Sequence, residues 1–219
     1  MRKHIVCFGD SNTHGYCAQP ADCADGGNRF NENERWTCLL QRKLGEDWLV
    51  LEEGLSGRTS CFPDPLHECM SGLDSIYSCL MSHEPVDLLI IMLGTNDTKE
   101  RLGANAACIA LGMERLVMKA RSVPAWRNGI PKILIISPPH IGEGLYRGPE
   151  GEPMGRSCPE KSRALAPYLA AVAQRQDCFF LDAEGKAEFN QLDCMHLTRK
   201  GHRQLADLLA GYLPDLLSH

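Results

Sequence analysis

A serine near the start of the chain and a histidine near its end carry the side chains that nucleophilic catalysis needs. Ser11 stands in a Gly-Asp-Ser triplet, directly after four apolar residues that are typical of a short buried strand. His196 follows Asp193 by three residues, so one turn of chain can aim the carboxylate at one ring nitrogen while the other faces Ser11. A nucleophile, a base and an orienting carboxylate are the minimum set for acyl transfer. We therefore take these three as candidate catalytic residues.

Simpler structural interpretations of the same residues stay open at the level of sequence. A serine after a strand can cap the helix that follows, and an aspartate close to a histidine can form a purely structural pair. Among the eight histidines of the chain, His202 is predicted to lie on the surface of a helix. Chemistry is favoured for Ser11 and His196 because a serine becomes a nucleophile only beside a base, and histidine exchanges protons near neutral pH.

Alternating strand and helix patterns must bring these distant residues together. Strands are predicted at 5–8, 48–51, 87–93, 132–137 and 178–181, and helices at 36–44, 71–82, 105–121, 159–174 and 200–213. Such alternation indicates an α/β fold, in which a parallel sheet carries helices on both faces. The stretch 142–155 is rich in Gly, Pro and Glu and is predicted to be a surface loop.

The polar candidates share one position in this scheme. Ser11, Gly57 and Asn96 each come just after a predicted strand, and Asp193 and His196 lie in the loop after the fifth. Because the carboxyl ends of parallel strands meet at one edge of the sheet, we expect these residues to converge there.

Composition excludes several classes of protein. With 219 residues and 43% hydrophobic content, the chain is expected to form a single domain, 1–219, with a full core. The net charge of −5 is spread along the chain, which argues against a nucleic-acid partner. The longest apolar run, 88–93, is too short to cross a membrane.

The start of the chain and its cysteines bear on location. Only four apolar residues follow Arg2 and Lys3, too few for the core of a signal peptide. The eleven cysteines have irregular spacing and no Cys-x-x-Cys pair, and Cys7, Cys108 and Cys178 stand in apolar segments. We interpret the cysteines as reduced packing residues of a cytoplasmic protein, with neither disulfides nor a zinc site.

Four sequence blocks together resemble those of the SGNH (GDSL) hydrolases over nearly the whole chain. They are 9–11, 57, 94–97 and 193–196. Wider segments are similar to the arylesterase/acyltransferase (perhydrolase) branch, namely 35–37, 52–59, 90–99 and 137–139. The resemblance implies a three-layer αβα sandwich around a flavodoxin-like, five-stranded parallel sheet. It also implies a homo-oligomer.

The resemblance further implies an oxyanion hole made by the Ser11 amide, the Gly57 amide and the Asn96 side chain. Gly57 suits this role because substrate can approach a backbone amide that has no side chain beside it. Ordinary turn chemistry is the alternative for both Gly57 and Asn96. Asn12 and Tyr16 differ from the more apolar residues of the branch, and we expect them, like the loop 142–156, to line the acyl or alcohol pocket.

The resulting hypothesis is a serine esterase or acyltransferase that acts on small, acetyl-like esters through an acyl-enzyme on Ser11. Its partner is a small-molecule ester, and it needs no metal or organic cofactor. A carbohydrate O-acetyl esterase or a thioesterase using the same residues is the alternative among enzymes. A flavodoxin-like binding module is the alternative outside enzymes. A metal-dependent hydrolase is disfavoured because no His/Asp cluster has ligand spacing.

Overall fold

Five apolar segments form a parallel sheet in the computed structural model, which describes residues 1–217. The strands are β1 (Lys3–Gly9), β2 (Trp48–Gly54), β3 (Leu88–Met92), β4 (Ile133–Ser137) and β5 (Phe179–Asp182). Their order across the sheet is β2-β1-β3-β4-β5. Strand β2 lies on one side of β1, and β3 is added on the other side. Ligands of open α/β sheets bind at the carboxyl edge beside such a switch point in strand order.

Helices cover both faces of the sheet and complete a three-layer αβα sandwich. They are α1 (Ser11–His14), α2 (Trp36–Leu44), α3 (Gly72–Ser82), α4 (Ala106–Ser122), α5 (Gly151–Met154), α6 (Cys158–Arg175) and α7 (Arg199–Leu216). Helices α2 and α7 pack together on one face, and α3, α4 and α6 on the other. The expected fold class is confirmed. No helix within the described residues is long and apolar enough to cross a membrane.

Strand β1 explains why the strands are continuously apolar. Ile5 and Cys7 face the core beneath α2 and α7, whereas Val6 and Phe8 face the core beneath α3, α4 and α6. All four are buried. A strand covered on both faces cannot alternate polar with apolar residues, so its sequence reads as an apolar run.

The segment predicted as a surface loop is partly helical and partly buried. It contains a 3₁₀ helix, Glu143–Arg147, and the single turn α5. Leu145 and Met154 are buried in a small apolar cluster that also contains Met195. The prediction of a surface loop was wrong here, because the apolar residues between the Gly and Pro positions pack beneath the segment.

Two single-residue predictions also need correction. His202 is fully buried, and its Nδ1 accepts a hydrogen bond from the Trp36 N–H at 3.2 Å. Burial lowers the pKa of His202 to about 3, so the ring stays neutral. The signal was available in the sequence: His202 shares the helical stripe of Leu205 and Leu209, which face the core. Cys108, predicted to pack in the core, is exposed on α4.

Candidate active site

Ser11 is held at a sharp bend between β1 and α1. Asp10 follows the last residue of β1 and accepts a hydrogen bond from the Asn12 N–H at 2.9 Å, which caps the short helix. The bend is too crowded for a side chain at Gly9, where an added Cβ would lie 2.0 Å from Thr13 Oγ1. Gly15 ends the turn with a φ of 87°, in the left-handed region. Small residues are therefore required on both sides of the serine.

A chain of hydrogen bonds joins Ser11 to the loop near the other end of the sequence. His196 Nε2 lies 2.8 Å from Ser11 Oγ, and His196 Nδ1 lies 2.7 Å from Asp193 Oδ2. An ionised carboxylate can only accept, so Nδ1 carries the ring proton and Nε2 is left to accept from the serine hydroxyl. The arrangement can take a proton from Ser11 during attack on an electrophile.

Asp193 is fixed by its own loop. Its Oδ1 accepts hydrogen bonds from Asn190 Nδ2 at 2.8 Å and from the Met195 and His196 N–H groups at 3.1 Å. Burial alone would raise the pKa of Asp193, but the His196 ring and the His196 and Met195 N–H groups hold that pKa at about 2. The carboxylate therefore stays ionised at any pH where the imidazole can act as a base.

Gly57 and Asn96 lie in two turns that are bonded to each other. Gly57 has a φ of 91° in a turn closed by the Arg58 N–H to the Leu55 carbonyl at 3.0 Å. Asn96 Nδ2 donates to the Arg58 carbonyl at 3.2 Å, which leaves its second amide hydrogen free of that bond. Both residues face the same cavity as Ser11. Residues from three loops thus line one cavity beside the hydroxyl.

The turns are braced by buried polar side chains. Arg58 Nη1 donates to the carbonyls of Gly9 and Glu53, and its guanidinium stacks 4.0 Å from the Phe8 ring centre. Asp97 Oδ1 accepts from the Ser60 N–H at 2.9 Å. Arg58 and Asp97 therefore brace the turns that carry Gly57 and Asn96.

A cavity of about 320 Å³ opens above Ser11. It is lined by Ser11, Tyr16, Ser56, Gly57, His67, Thr95, Asn96, Lys99, Arg101, Glu150, Pro153, Met154, Met195 and His196. The Tyr16 ring lies against the His196 ring, with 4.6 Å between centres. Tyr16 and residues of the 142–156 segment line this cavity, and Asn12 does not.

Asn12 faces away from the cavity and is only 2% exposed. Its Nδ2 donates to the Met195 carbonyl at 3.1 Å and its Oδ1 accepts from the Leu197 N–H at 2.9 Å. The expectation that Asn12 lines the acyl or alcohol pocket is therefore corrected. The reason is the direction of the side chain, which the one-turn helix α1 aims at the histidine loop, the connection 183–198 between β5 and α7.

Ionised side chains at one end of the cavity are organised by Asp64, whose side chain is fully buried. Arg101 binds both of its oxygens, at 2.8 and 2.7 Å, and Lys99 Nζ lies 3.0 Å from Oδ2. The Arg101 guanidinium and the Lys99 ammonium hold the pKa of Asp64 well below its usual range. Arg101 also donates to the Pro153 carbonyl and so ties the 142–156 segment to this group.

Possible metal ligands group at one place within residues 1–217. Side-chain donor atoms of Glu53, Cys79 and His83 lie within 4.8 Å of one another. Glu53 Oε1 is 2.6 Å from His83 Nε2, a hydrogen bond that accounts for their approach. None of the three lines the cavity, so the group offers no ligand to a metal that would act on a substrate there.

Comparison with known proteins identifies the family. The model of the GDSL-like lipase/acylhydrolase family matches residues 7–204. The chain belongs to this family. This match confirms the resemblance found in the sequence. A separate search of curated proteins found no match.

Solved structures of esterases superimpose on this GDSL hydrolase over almost its whole length. The M. smegmatis aryl esterase is 35% identical, with a TM-score of 0.85 over 98% of this chain and 99% of that one. The carbohydrate acetylesterase Est24 from Sinorhizobium meliloti is 31% identical, with a TM-score of 0.87 over 98% and 100%. A second carbohydrate acetylesterase family member from Sinorhizobium meliloti is 33% identical, with a TM-score of 0.86 over 99% and 100%. The chain is an enzyme that hydrolyses esters, and the binding-module alternative is set aside.

Sequence reasoning missed several residues of the hydrolase site. Asn190 holds Asp193, and Asp64 organises Lys99 and Arg101. The only available signal was position, because Lys99 and Arg101 follow the Gly-Thr-Asn-Asp block after β3. Asp64 stands in an irregular connection and gave no signal.

Proposed function

We propose that this GDSL hydrolase cleaves small acyl esters through a covalent acyl-enzyme on Ser11. The observation that carries the proposal is the continuous chain of hydrogen bonds from Asp193 through His196 to Ser11 Oγ at the floor of the cavity. Similarity to structures described as an aryl esterase and carbohydrate acetylesterases supports a small, acetyl-like acyl group.

Acylation begins when Ser11 Oγ forms a bond to the ester carbonyl carbon while its proton passes to His196 Nε2. The carbonyl oxygen becomes an oxyanion, which accepts hydrogen bonds from the Ser11 and Gly57 amides and from Asn96 Nδ2. Collapse of this intermediate breaks the ester C–O bond, and the proton on Nε2 moves to the leaving alcohol. Asp193 stabilises the imidazolium throughout and keeps its own charge.

Deacylation repeats these steps with another nucleophile. Water, or a second alcohol, gives its proton to His196 Nε2 and attacks the acyl carbon. The bond to Ser11 Oγ then breaks, and the proton returns to the serine. Transfer to an alcohol needs a site from which water is excluded. The resemblance to the acyltransferase branch supports acyl transfer as an accompanying activity.

A carbohydrate O-acetyl ester is the second candidate substrate. Two similar structures are described as carbohydrate acetylesterases. The cavity wall also offers the flat Tyr16 ring and the polar side chains of Ser56, His67 and Glu150. A ring face beside hydrogen-bonding groups suits a polyhydroxylated alcohol. Values of kcat/KM for aryl acetates, acetylated sugars and acyl-CoA would rank this candidate against an arylesterase and a thioesterase.

The test of the mechanism is Ser11→Ala. We expect kcat/KM for p-nitrophenyl acetate to fall at least about 1,000-fold, because within residues 1–217 Ser11 is the hydroxyl that bonds His196 Nε2. A fluorophosphonate probe should label the wild-type enzyme at Ser11, as found by peptide mapping, and leave the variant unlabelled. Turnover that survives the substitution would refute the proposal.

Ser137→Ala is the matched control. Ser137 also ends a parallel strand, β4, and is buried, but its hydroxyl has no hydrogen-bond partner among the described residues and is off the cavity. Labelling and turnover of this variant should equal those of the wild type.

We also propose that the enzyme forms a homo-oligomer and lies in the cytoplasm. A homo-oligomer rests on the resemblance to the acyltransferase branch, and a cytoplasmic location rests on the cysteine content of the chain. Size-exclusion chromatography with light scattering tests the first, and fractionation of cells tests the second.

A further inference from the structure

We infer that Asn12 is a positioning residue that keeps the His196 ring at hydrogen-bond distance from Ser11. The inference rests on the proposed function, because it concerns how the base of that reaction is aligned. It replaces the role in substrate binding that the sequence suggested.

The side-chain amide of Asn12 bonds the backbone on both sides of His196. Nδ2 donates to the Met195 carbonyl at 3.1 Å, and Oδ1 accepts from the Leu197 N–H at 2.9 Å. The acceptor and the donor of the amide are thus both matched, which fixes its orientation. His196 is the one residue between the two bonded positions.

Asn12 is itself immobilised at the serine turn. Its N–H donates to Asp10 Oδ1 at 2.9 Å, and its carbonyl accepts from Trp36 Nε1 at 3.1 Å. All four polar groups of the residue are therefore bonded within the protein. Asn12 directly follows Ser11 in the chain. Its side-chain amide therefore fixes the histidine loop relative to the serine turn, residues 9–15.

Other contacts of the histidine loop do not make this link. Asn190 holds Asp193 and the His196 carbonyl, but it belongs to the same loop and moves with it. The Gly142 N–H to Cys194 carbonyl bond ties the loop to the 142–156 segment. Apart from the Ser11–His196 bond itself, the side-chain amide of Asn12 is the direct hydrogen-bonded connection between the serine turn and the loop within residues 1–217.

Alignment at this distance matters because proton transfer depends steeply on geometry. Displacing a reacting group by 1 Å can cost about 100-fold in rate. Asp193 and His196 lie in the same loop, so a shift of that loop would keep their hydrogen bond. The same shift would move His196 Nε2 out of hydrogen-bond distance of Ser11 Oγ.

Two substitutions separate positioning from packing. Asn12→Asp keeps the shape but sets a carboxylate oxygen against the Met195 carbonyl, and Asn12→Leu keeps the volume but removes both bonds. We expect kcat for p-nitrophenyl acetate to fall about 10- to 100-fold in each, with KM changed by less than about twofold. The rate of fluorophosphonate labelling should fall by the same factor, since it needs the same proton transfer.

Gln41 offers matched controls. Its amide makes the same kind of bridge, donating to the Gly45 and Trp48 carbonyls and accepting from the Val50 N–H, but it joins α2 to β2 away from the cavity. Gln41→Glu and Gln41→Leu should lower Tm and leave kcat and KM unchanged. All rates are measured well below each variant's Tm and per labelled active site.

The outcomes are distinct. A raised KM with normal kcat in the Asn12 variants would return Asn12 to substrate binding, and a lower Tm with normal kcat would make it purely structural. Either result overturns the inference. Turnover by Ser11→Ala would instead overturn the proposed function, whatever the Asn12 variants do.

Discussion

Asp193 is the residue that decides which nitrogen of His196 carries the proton. Its carboxylate receives three hydrogen bonds from its own loop on Oδ1, which leaves Oδ2 aimed at Nδ1 at 2.7 Å. A group held in this way orients the ring without taking its proton.

Replacing Asp193 by Asn should therefore remove activity without removing the fold. The amide can present an N–H to Nδ1, which would move the ring proton to Nε2 and leave no acceptor for Ser11. We expect kcat to fall by roughly 10³- to 10⁴-fold, as for the equivalent change in serine proteases. Steady-state kinetics test this, with circular dichroism as the check on folding. A loss below tenfold would contradict it.

Asn96 is the side chain among the three proposed oxyanion donors. Because its amide also bonds the Arg58 carbonyl, it is held in place before any substrate arrives. A fixed donor stabilises developing charge more than it stabilises the flat ester.

Asn96→Ala should lower kcat about 100- to 1,000-fold with little change in KM. Labelling of Ser11 by fluorophosphonate should slow as well, since its intermediate also carries a negative oxygen. Asn105→Ala removes an amide that caps α4 through the Cys108 N–H, and it serves as the control with normal kcat. An equal rise in KM and no change in kcat would assign Asn96 to binding alone.

At the scale of elements, the site depends on connections between loops. The group around Asp64 joins the stretch after Gly57, the 3₁₀ helix Glu100–Leu102 and, through Arg101, the 142–156 segment. Burying a carboxylate among cations is favourable only while every partner is present, so losing one partner is expensive.

Asp64→Asn should destabilise the protein by about 3–5 kcal/mol, because Lys99 and Arg101 would keep their charges with no counter-ion. KM should rise more than kcat falls, since both cations line the cavity. Asp207→Asn breaks the exposed pair with Lys43 and should change the free energy of unfolding by at most about 1 kcal/mol. Denaturant titrations of both variants test the contrast, and equal effects would contradict it.

For the whole molecule, two buried carboxyls beneath the site link stability to pH. Burial raises the pKa of Asp10 to about 6 and that of Asp97 to about 6. Asp10 Oδ2 has no hydrogen-bond partner among the described residues. When the pKa is higher in the folded state, that state holds the proton more tightly. The raised pKa values of Asp10 and Asp97 therefore favour the folded state at low pH. This contribution to the free energy of unfolding declines as pH rises from about 4 through 6.

Asp10→Asn should therefore gain stability over the wild type as pH rises. The amide keeps the oxygen that accepts from the Asn12 N–H and has no charge to bury. We expect the difference in unfolding free energy to grow between pH 4 and 6 to as much as about 3 kcal/mol, then to level off. Guanidinium titrations at several pH values measure it, with Asp207→Asn as control. A difference independent of pH would contradict the assignment.

Much of the fold was readable because its signals are local. Apolar runs such as 88–93 and helical patterns such as 36–44 each depend on neighbours within a few residues. The small residues around Ser11 and the Asp193–His196 spacing are likewise local. Parallel topology then determines that strand ends converge at one edge.

Other features depend on partners far away in the sequence, and only the tertiary structure decided them. Asn12 turns from the cavity because its amide finds backbone groups 183 and 185 residues away. Asp64 is buried because Lys99 and Arg101, 35 and 37 residues later in the chain, both pair with it. The residue types alone placed Asn12 at the pocket and gave no signal for Asp64. A polar side chain is placed by the partner that satisfies it, and that partner is known only once the chain has folded.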